Sequence, residues 1–322
     1  MITTKIRWAQ PDGLRVITAL TLLGLAACSG TGSPSRPASP PGGLMTPAEF
    51  QALPARPADI RLAYGEDSSQ FGELRVPPGN GPHPVVALIH GGCWKEPYAK
   101  LHELGPIGDA LKDQGIATWN IEYRRLYQPG SGWPGTYQDV GRAIDHLRSK
   151  ADEHHLDLGR VVIVGHSAGG HLAMWAAARH RLKPDSPLFV EEPLRVRGVV
   201  NLAGTMDMTD NIERMEQECG DTVVTAMMGG TVNDVPERYA QASAISLLPL
   251  SVPQVIVWAE HDDFVPRSLA ENYARAASLA GDSVRVLVVP GAGHFELASP
   301  LSTAWPIVQS AIQSLIRGDL PQ

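Results

Sequence analysis

Residues 161–169 read VVIVGHSAG, and this stretch decides the fold. The apolar, β-branched residues at its start predict a buried strand, and the pattern through Arg179 predicts a helix after it. A serine between two glycines at such a strand-to-helix turn is typical of a nucleophile elbow, in which Ser167 Oγ is lifted clear of the sheet edge. Gly-x-Ser-x-Gly alone is common by chance, so the inference depends on the flanking strand and helix.

A second glycine-rich segment follows another apolar run. Val85–Ile89 predicts a buried strand, and HGGCW follows it at residues 90–94. Glycines in this position allow backbone N–H groups to point into a cavity. The N–H of Gly92 or Cys93, together with that of Ala168, is predicted to form an oxyanion hole, which stabilises the negative oxygen of an acyl-transfer intermediate.

With these two motifs the chain resembles the α/β-hydrolase superfamily. More narrowly, it is similar to the bacterial esterases and kynurenine formamidases that carry His-Gly-Gly-x-Trp, and the resemblance covers roughly Leu74 to the C-terminus. The superfamily fold implies a catalytic triad in the chain order serine, aspartate or glutamate, histidine. Trp94, the last residue of the motif, is predicted to line the substrate pocket, and a purely structural tryptophan is the alternative.

The base of the triad is expected in the loop after the last strand. A serine hydroxyl is a weak nucleophile, so it needs a base to take its proton and an acid to orient that base. Val284–Val289 predicts the last strand, and PGAGHF follows at residues 290–295. His294 is therefore the predicted base, aimed at Ser167 by a glycine-rich loop, and Phe295 is predicted to lie beside the pocket.

The acid is expected after the preceding strand, which Val255–Trp258 predicts. Glu260, Asp262 and Asp263 all lie there. The family's pattern is Gly-x-x-Asp-x-x-Val-Pro, and Asp262 stands four residues before the proline, although Ala259 replaces the usual glycine. Asp262 is therefore the predicted acid, and Asp263 is expected to be solvated or to cap the next helix.

Three further histidines lie near these motifs and receive structural interpretations. His90 is predicted to hold its loop through hydrogen bonds. His166 is predicted to lie on the surface of the turn, and His171 to pack on the helix after it. No grouping of histidine, cysteine and aspartate has the spacing of a zinc site, so no metal is expected.

Alternating strand and helix patterns predict an α/β protein with a mostly parallel central sheet covered by helices on both faces. Ile60–Tyr64 and Glu73–Pro77 predict two antiparallel leading strands, and Leu101–Gln114 predicts a helix. Residues 205–250 interrupt the alternation and are rich in methionine. This segment is predicted to be a small cap insertion over the active site, although ordinary helix packing would explain the methionines as well.

The N-terminus reads as a targeting segment. Basic residues precede the apolar run Val16–Ala27, which is too short to span a bilayer comfortably, and LAAC stands at residues 25–28. Small residues followed by cysteine resemble a bacterial lipobox, with Cys28 as the lipidation site. An ordinary signal peptide cut near Ala27 is the alternative.

Residues 29–47 are rich in glycine, serine and proline and are predicted to be a flexible tether. Residues 48–322 are predicted to form the hydrolase domain.

The charge and the cysteine content limit the kinds of partner and compartment that the protein can have. The chain has 322 residues, a formal net charge of −7 and no basic cluster, which argues against a nucleic-acid partner. The lipobox would anchor the protein in the cell envelope, in the outer membrane facing the periplasm. With Cys28 lipidated, Cys93 and Cys219 are the remaining cysteines, and a bridge between them would join the oxyanion loop to the insertion.

The sequence therefore predicts an exported serine carboxylesterase that cleaves small-molecule esters of short to medium acyl chains and needs no cofactor. An aryl formamidase acting on N-formylkynurenine would use the same residues. A binding lipoprotein on a hydrolase fold is the alternative outside the enzymes. The natural substrate and the oligomeric state stay open.

Overall fold

The computed structural model describes residues 43–96, 98–220 and 222–321. The predicted signal sequence, Cys28 and most of the predicted tether lie outside these residues. Within the described ranges, no helix is both long and apolar enough to cross a membrane.

The described strands form one mixed sheet in the order β1-β2-β4-β3-β5-β6-β7-β8. β1 pairs antiparallel with β2, and β2 with β4, while all pairs from β4 to β8 are parallel. The predicted mostly parallel sheet with antiparallel leading strands is therefore confirmed. The strands are Ile60–Ala63 (β1), Phe71–Arg75 (β2), His83–Ile89 (β3), Ala117–Ile121 (β4), Leu156–His166 (β5), Gly198–Leu202 (β6), Gln254–Ala259 (β7) and Val284–Val289 (β8).

Helices cover both faces of the sheet. Side chains of β3 alternate between two hydrophobic clusters, with Val85 and Ala87 in one and Val86 and Leu88 in the other. This alternation follows from the two-residue period of a strand that is buried on both faces. The α-helices are Pro47–Gln51 (α1), Gly105–Lys112 (α2), Gly135–Lys150 (α3), Ala168–Ala178 (α4), Ile212–Cys219 (α5), Val223–Met228 (α6), Pro236–Ala242 (α7), Arg267–Leu279 (α8) and Trp305–Arg317 (α9).

Several predicted boundaries were wrong, two of them by four residues or more. The predicted helix Leu101–Gln114 is a 3-10 turn at Leu101–Leu104 followed by α2, which begins at Gly105 with a proline in its first turn. Proline fits the first turn of a helix but breaks a helix interior, so the chain starts a new helix there. The strand that leads to Ser167 also begins earlier than its apolar run, at Leu156.

The segment at residues 205–250 contains α5, α6 and α7. Its five methionines are all buried in the larger hydrophobic cluster, and of these Met215, on α5, also lines a cavity beside Ser167. Core packing therefore accounts for most of the methionine content, while α5 forms part of the cavity wall.

Candidate active site

Ser167 stands alone in the sharp turn between β5 and α4. Its backbone has φ 55° and ψ −122°, a conformation that is strained for a residue with a side chain, and its N–H donates to Leu202 O at 2.8 Å. The turn also needs small neighbours. A Cβ on Gly165 would lie 2.0 Å from Gly169 O, and one on Gly169 would lie 2.1 Å from Ile89 O. These contacts explain why glycines flank the serine and how the turn presents its hydroxyl.

Asp262 and His294 form a hydrogen-bonded pair at the ends of neighbouring strands. His294 Nδ1 donates to Asp262 Oδ2 at 2.9 Å. The other carboxylate oxygen accepts the backbone N–H groups of Phe264 at 2.8 Å and Val265 at 3.0 Å, so Asp262 is held in place from both sides. Because the carboxylate engages Nδ1, Nε2 of His294 is the ring nitrogen left to accept a proton from a hydroxyl.

The surroundings keep Asp262 ionised. Burial raises the pKa of the carboxyl, but the charge and hydrogen bond of His294, with the two backbone N–H groups, outweigh burial and hold the pKa below its ordinary value. A carboxylate that is ionised at neutral pH can stabilise the imidazolium that forms when the histidine accepts a proton.

The two alternative acids lie elsewhere in the same loop. Glu260 Oε2 accepts the backbone N–H of Gly291 at 2.8 Å, which joins the ends of β7 and β8. Asp263 is exposed, and its backbone oxygen accepts a hydrogen bond from Arg214 of α5, while the residue at the N-cap of α8 is Pro266. Among the three predicted candidates, the structure brings Asp262 to His294 Nδ1.

His166 corrects one prediction. It is buried rather than on the surface of the turn, with 2% of its surface exposed. Its Nε2 donates to His294 O at 3.1 Å, and the two ring centroids lie 4.7 Å apart. Burial and the neighbouring charge of His294 lower the pKa of His166 to about 3, so its ring stays neutral. It therefore connects the nucleophile turn to the histidine loop.

His90 and His171 both contact the loop at residues 90–94, called the oxyanion loop below after its predicted role; such bonds were predicted for His90, whereas His171 was predicted to pack on its helix. His90 Nδ1 donates to Gly91 O at 3.0 Å, and its Nε2 lies 3.0 Å from Glu122 Oε1. His171 Nδ1 accepts the indole N–H of Trp94 at 3.2 Å, and its Nε2 donates to Ala242 O at 3.0 Å. Burial lowers the pKa of His171 to about 4, which keeps this ring neutral.

The oxyanion loop has an unusual backbone. Gly92, Cys93 and Trp94 have φ of 92°, 54° and 54° in succession. Non-glycine residues rarely adopt positive φ, so the surrounding contacts must hold Cys93 and Trp94 there. One of the contacts that hold the loop is a disulfide from Cys93 to Cys219 of α5, with the two Cα atoms 5.7 Å apart.

Two cavities meet at Ser167. The smaller, about 480 Å³, is mostly apolar and includes Trp94, Ala168 and Met215 in its wall. The larger, about 980 Å³, is lined by Gly92, His166, His294 and Phe295, among others. Cys93 lines both cavities. The structure therefore brings Ser167, His294 and every predicted residue of the oxyanion hole and the pocket to the walls of these two cavities, whereas Asp262 lines neither and is connected through its bond to His294. Outside Pro97 and Asp221, residues 43–321 hold no group of three histidine, cysteine, aspartate or glutamate residues that could bind a metal.

Comparison with a family model assigns the chain to a protein family. The model described as BD-FAE matches residues 74–276, more than half of the sequence. The chain belongs to the BD-FAE family. The match begins at β2, where the predicted resemblance to α/β-hydrolases begins as well, and that resemblance is confirmed.

Individual relatives of this BD-FAE member are distant. Esterase LipC of Mycobacterium tuberculosis is 26% identical over 243 residues, 73% of this chain and 59% of LipC. Esterase LipQ of the same organism is 28% identical over 259 residues, 79% of this chain and 60% of LipQ. A kynurenine formamidase of Meyerozyma guilliermondii is 29% identical over 155 residues, 47% of this chain and 54% of that protein. The chain thus spans about three fifths of the two esterases.

A solved structure agrees with the architecture. A truncated carbohydrate esterase from gut microbiota superposes with a TM-score of 0.68 at 21% identity, over 81% of this chain and 99% of that one. This likeness supports the α/β-hydrolase fold.

Sequence analysis missed one part of the site in this BD-FAE member. The segment at residues 44–51, called the N-terminal arm below, packs on the histidine loop, although residues up to 47 were assigned to the tether. Phe50 of the arm has ring centroids 5.6 Å from His166 and 5.4 Å from Phe295, and it lines the larger cavity. A local signal was present: Thr46 and Glu49 form a capping box with a proline at the first helical position.

Proposed function

We propose that the protein is a serine carboxylesterase. The observation that carries the proposal is the bond from His294 Nδ1 to Asp262, which leaves Nε2 as the base beside a cavity that also contains the strained Ser167. The curated relatives LipC and LipQ, both named esterases, support the same class of reaction.

The reaction proceeds through an acyl-enzyme. His294 Nε2 accepts the Ser167 hydroxyl proton while Oγ attacks the ester carbonyl, and the negative oxygen is held by the N–H of Ala168 and of Gly92 or Cys93. The imidazolium then donates its proton to the departing alkoxide, and the C–O bond to the alcohol breaks. Water, deprotonated in turn by His294, releases the acid and regenerates Ser167.

The two cavities suggest where the halves of the substrate bind. The leaving alcohol takes its proton from His294, so the alcohol belongs in the larger cavity, whose wall contains His294. The acyl chain then occupies the smaller, mostly apolar cavity under α5. A small acyl cavity favours acetyl and butyryl esters over long-chain lipids.

Formamide hydrolysis is the second candidate, and the relative named kynurenine formamidase favours it. The same triad would transfer a formyl group, which needs even less acyl space. The purified protein should be tested with acetyl, butyryl, octanoyl and palmitoyl esters beside N-formylkynurenine. A tenfold preference in kcat/KM for N-formylkynurenine would replace the esterase proposal with the formamidase, and a tenfold preference for the palmitoyl ester would exclude the short-chain specificity.

The proposal includes export and a lipid anchor at Cys28. The sequence LAAC at residues 25–28 supports lipidation. The disulfide between Cys93 and Cys219 supports export, because such bonds persist in oxidising compartments and are rare in the bacterial cytosol.

A further inference from the structure

The disulfide joins two different parts of the acyl cavity. Cys93 belongs to the oxyanion loop, and Cys219 is the last residue of α5. Both residues line the smaller cavity, together with Met215 and Glu218 of the same helix. The crosslink therefore fixes one wall of this cavity relative to the nucleophile.

The oxyanion loop has several attachments that do not involve the crosslink. Leu126 N–H donates to Trp94 O at 2.7 Å, and Lys95 N–H donates to Gly92 O at 2.9 Å. The Trp94 indole donates to His171 on α4 at 3.2 Å. One of these bonds closes a turn within the loop and the other two hold it to neighbouring segments, so its backbone should keep its conformation when the disulfide is cut.

Helix α5 has weaker attachments. Of its eight residues, all described, Met215 alone is fully buried, while Ile212 and Cys219 pack partly buried against the larger hydrophobic cluster. Its polar contacts include the bond from Lys95 Nζ to Cys219 O at 3.2 Å and the bond from Arg214 to the backbone oxygen of Asp263. One fully buried side chain and two partly buried ones give a helix little apolar stabilisation, and the disulfide is its covalent attachment to the oxyanion loop.

From this asymmetry we propose that the Cys93–Cys219 disulfide determines acyl-chain specificity by holding α5 as the lid of the acyl cavity. The inference rests on the proposed esterase function. With the bond intact, the cavity admits short acyl chains. Reduction frees α5 to move outward, which deepens the cavity and admits longer chains, while the triad and the oxyanion loop stay assembled.

The test compares acyl-chain profiles of the full-length chain with and without the crosslink. The kcat/KM values for acetyl, butyryl and octanoyl p-nitrophenyl esters are measured for the wild type, for Cys219→Ser, and for Gln217→Ser. Gln217 is an exposed neighbour on the same helix and serves as the matched control. We expect the octanoyl-to-acetyl ratio to rise at least tenfold in Cys219→Ser and to stay unchanged in Gln217→Ser.

Reduction of the folded wild type provides a second route if Cys219→Ser does not fold. Dithiothreitol transfers two electrons and two protons to the disulfide and becomes a cyclic disulfide, leaving two thiols. We expect the same rise in the ratio for the wild type and no further change for Cys219→Ser, with circular dichroism reporting the fold.

The outcomes separate this inference from the proposed function. An active wild type whose ratio is unchanged by both reduction and Cys219→Ser overturns the inference alone. Free thiols at both cysteines in the unreduced protein, found by alkylation and peptide mass spectrometry, also overturn it. A wild type that cleaves none of the esters overturns the esterase proposal and this inference with it.

Discussion

Met45 donates its backbone N–H to Glu296 Oε1 at 2.5 Å, across 251 positions of the chain. The other oxygen of the same carboxylate accepts the N–H of Gly293 at 3.1 Å, immediately before His294. One side chain thus joins the N-terminal arm to the loop that carries the candidate base. The arm is therefore part of the structure that positions His294.

This relationship predicts the effect of Glu296→Ala. Two partly buried N–H groups would lose their acceptor, at a cost of about 1–3 kcal/mol each if they stay unsatisfied. We expect the melting temperature of Glu296→Ala to fall by several degrees and its kcat to fall about tenfold. Both quantities for Glu296→Gln should lie between those of the wild type and Glu296→Ala. The exposed Glu192→Ala is the control and should change neither quantity. If thermal unfolding and kcat are both unaffected in Glu296→Ala, the arm does not support the histidine.

Ser167→Ala tests the nucleophile. Removing one member of a catalytic triad costs on the order of 10⁴ to 10⁶ in rate, so we expect ester turnover to fall at least a thousandfold while circular dichroism stays unchanged. Ser278→Ala, at an exposed position on α8, is the matched control and should be fully active. A folded Ser167→Ala protein that retains more than a tenth of the activity would exclude this serine.

Asp262→Asn tests the acid. An amide at this position presents the wrong hydrogen-bonding group to His294 Nδ1, and the same change in a serine protease lowers kcat about 10⁴-fold. We expect a loss of similar size. Asp263→Asn is the matched control, since its side chain is not the one bonded to His294, and kcat should stay within a few-fold of the wild type. The reverse pattern would assign the acid to Asp263.

Glu103 predicts a pH dependence of stability. This residue lies in the wall of the larger cavity, where burial, opposed by the charge of His90, raises its pKa from 4.5 to about 7. Between these two values the native state keeps a proton that the unfolded chain releases. The contribution of Glu103 to the free energy of unfolding is therefore fully present below pH 4.5 and falls as the pH rises to about 7.

Glu103→Gln should remove this loss because the amide stays neutral. Urea unfolding of both proteins from pH 4 to pH 9 would measure the difference. We expect the free energy of unfolding of the variant to rise relative to that of the wild type as the pH rises from 4.5 to about 7. Above this range the difference between the two free energies should be constant. Parallel stability curves at all pH values would show that Glu103 ionises normally.

Cys28→Ser tests the anchor. The variant should lose acylation and move from the membrane fraction to the soluble fraction, since lipid attachment would be the source of membrane binding. Intact-mass measurement of membrane-extracted wild type and variant decides the matter. A mature N-terminus at any residue other than Cys28 would exclude the lipobox.

The features that sequence could predict are local ones. The turn at Ser167 can be predicted from one continuous stretch of sequence, since the apolar run, the two glycines and the helical pattern follow one another directly. The loop at residues 90–94 and the glycine-rich loop of His294 follow apolar runs in the same way. In a parallel sheet the carboxyl ends of strands meet at one edge, which is why local patterns sufficed to bring Asp262 and His294 together.

The features that sequence analysis missed depend on distant contacts. The bond from Met45 to Glu296 leaves no trace in the composition of residues 29–47, which is typical of a linker. The burial of His166 was misjudged because its glycine neighbours indicated a turn. Strand alternation would have corrected this, since Val164 and Val162, two and four residues earlier on β5, are fully buried on one face of the sheet.

The disulfide also closes a covalent ring, because the two cysteines are 126 positions apart. Ser167 lies inside this ring, whereas Asp262 and His294 lie outside it. A single protease cut anywhere between the cysteines would leave both fragments joined, and they would migrate as one species until a reductant is added. The nucleophile could therefore survive a broken backbone in place, while its alignment with the base would still depend on the hydrogen bonds and packing of the sheet.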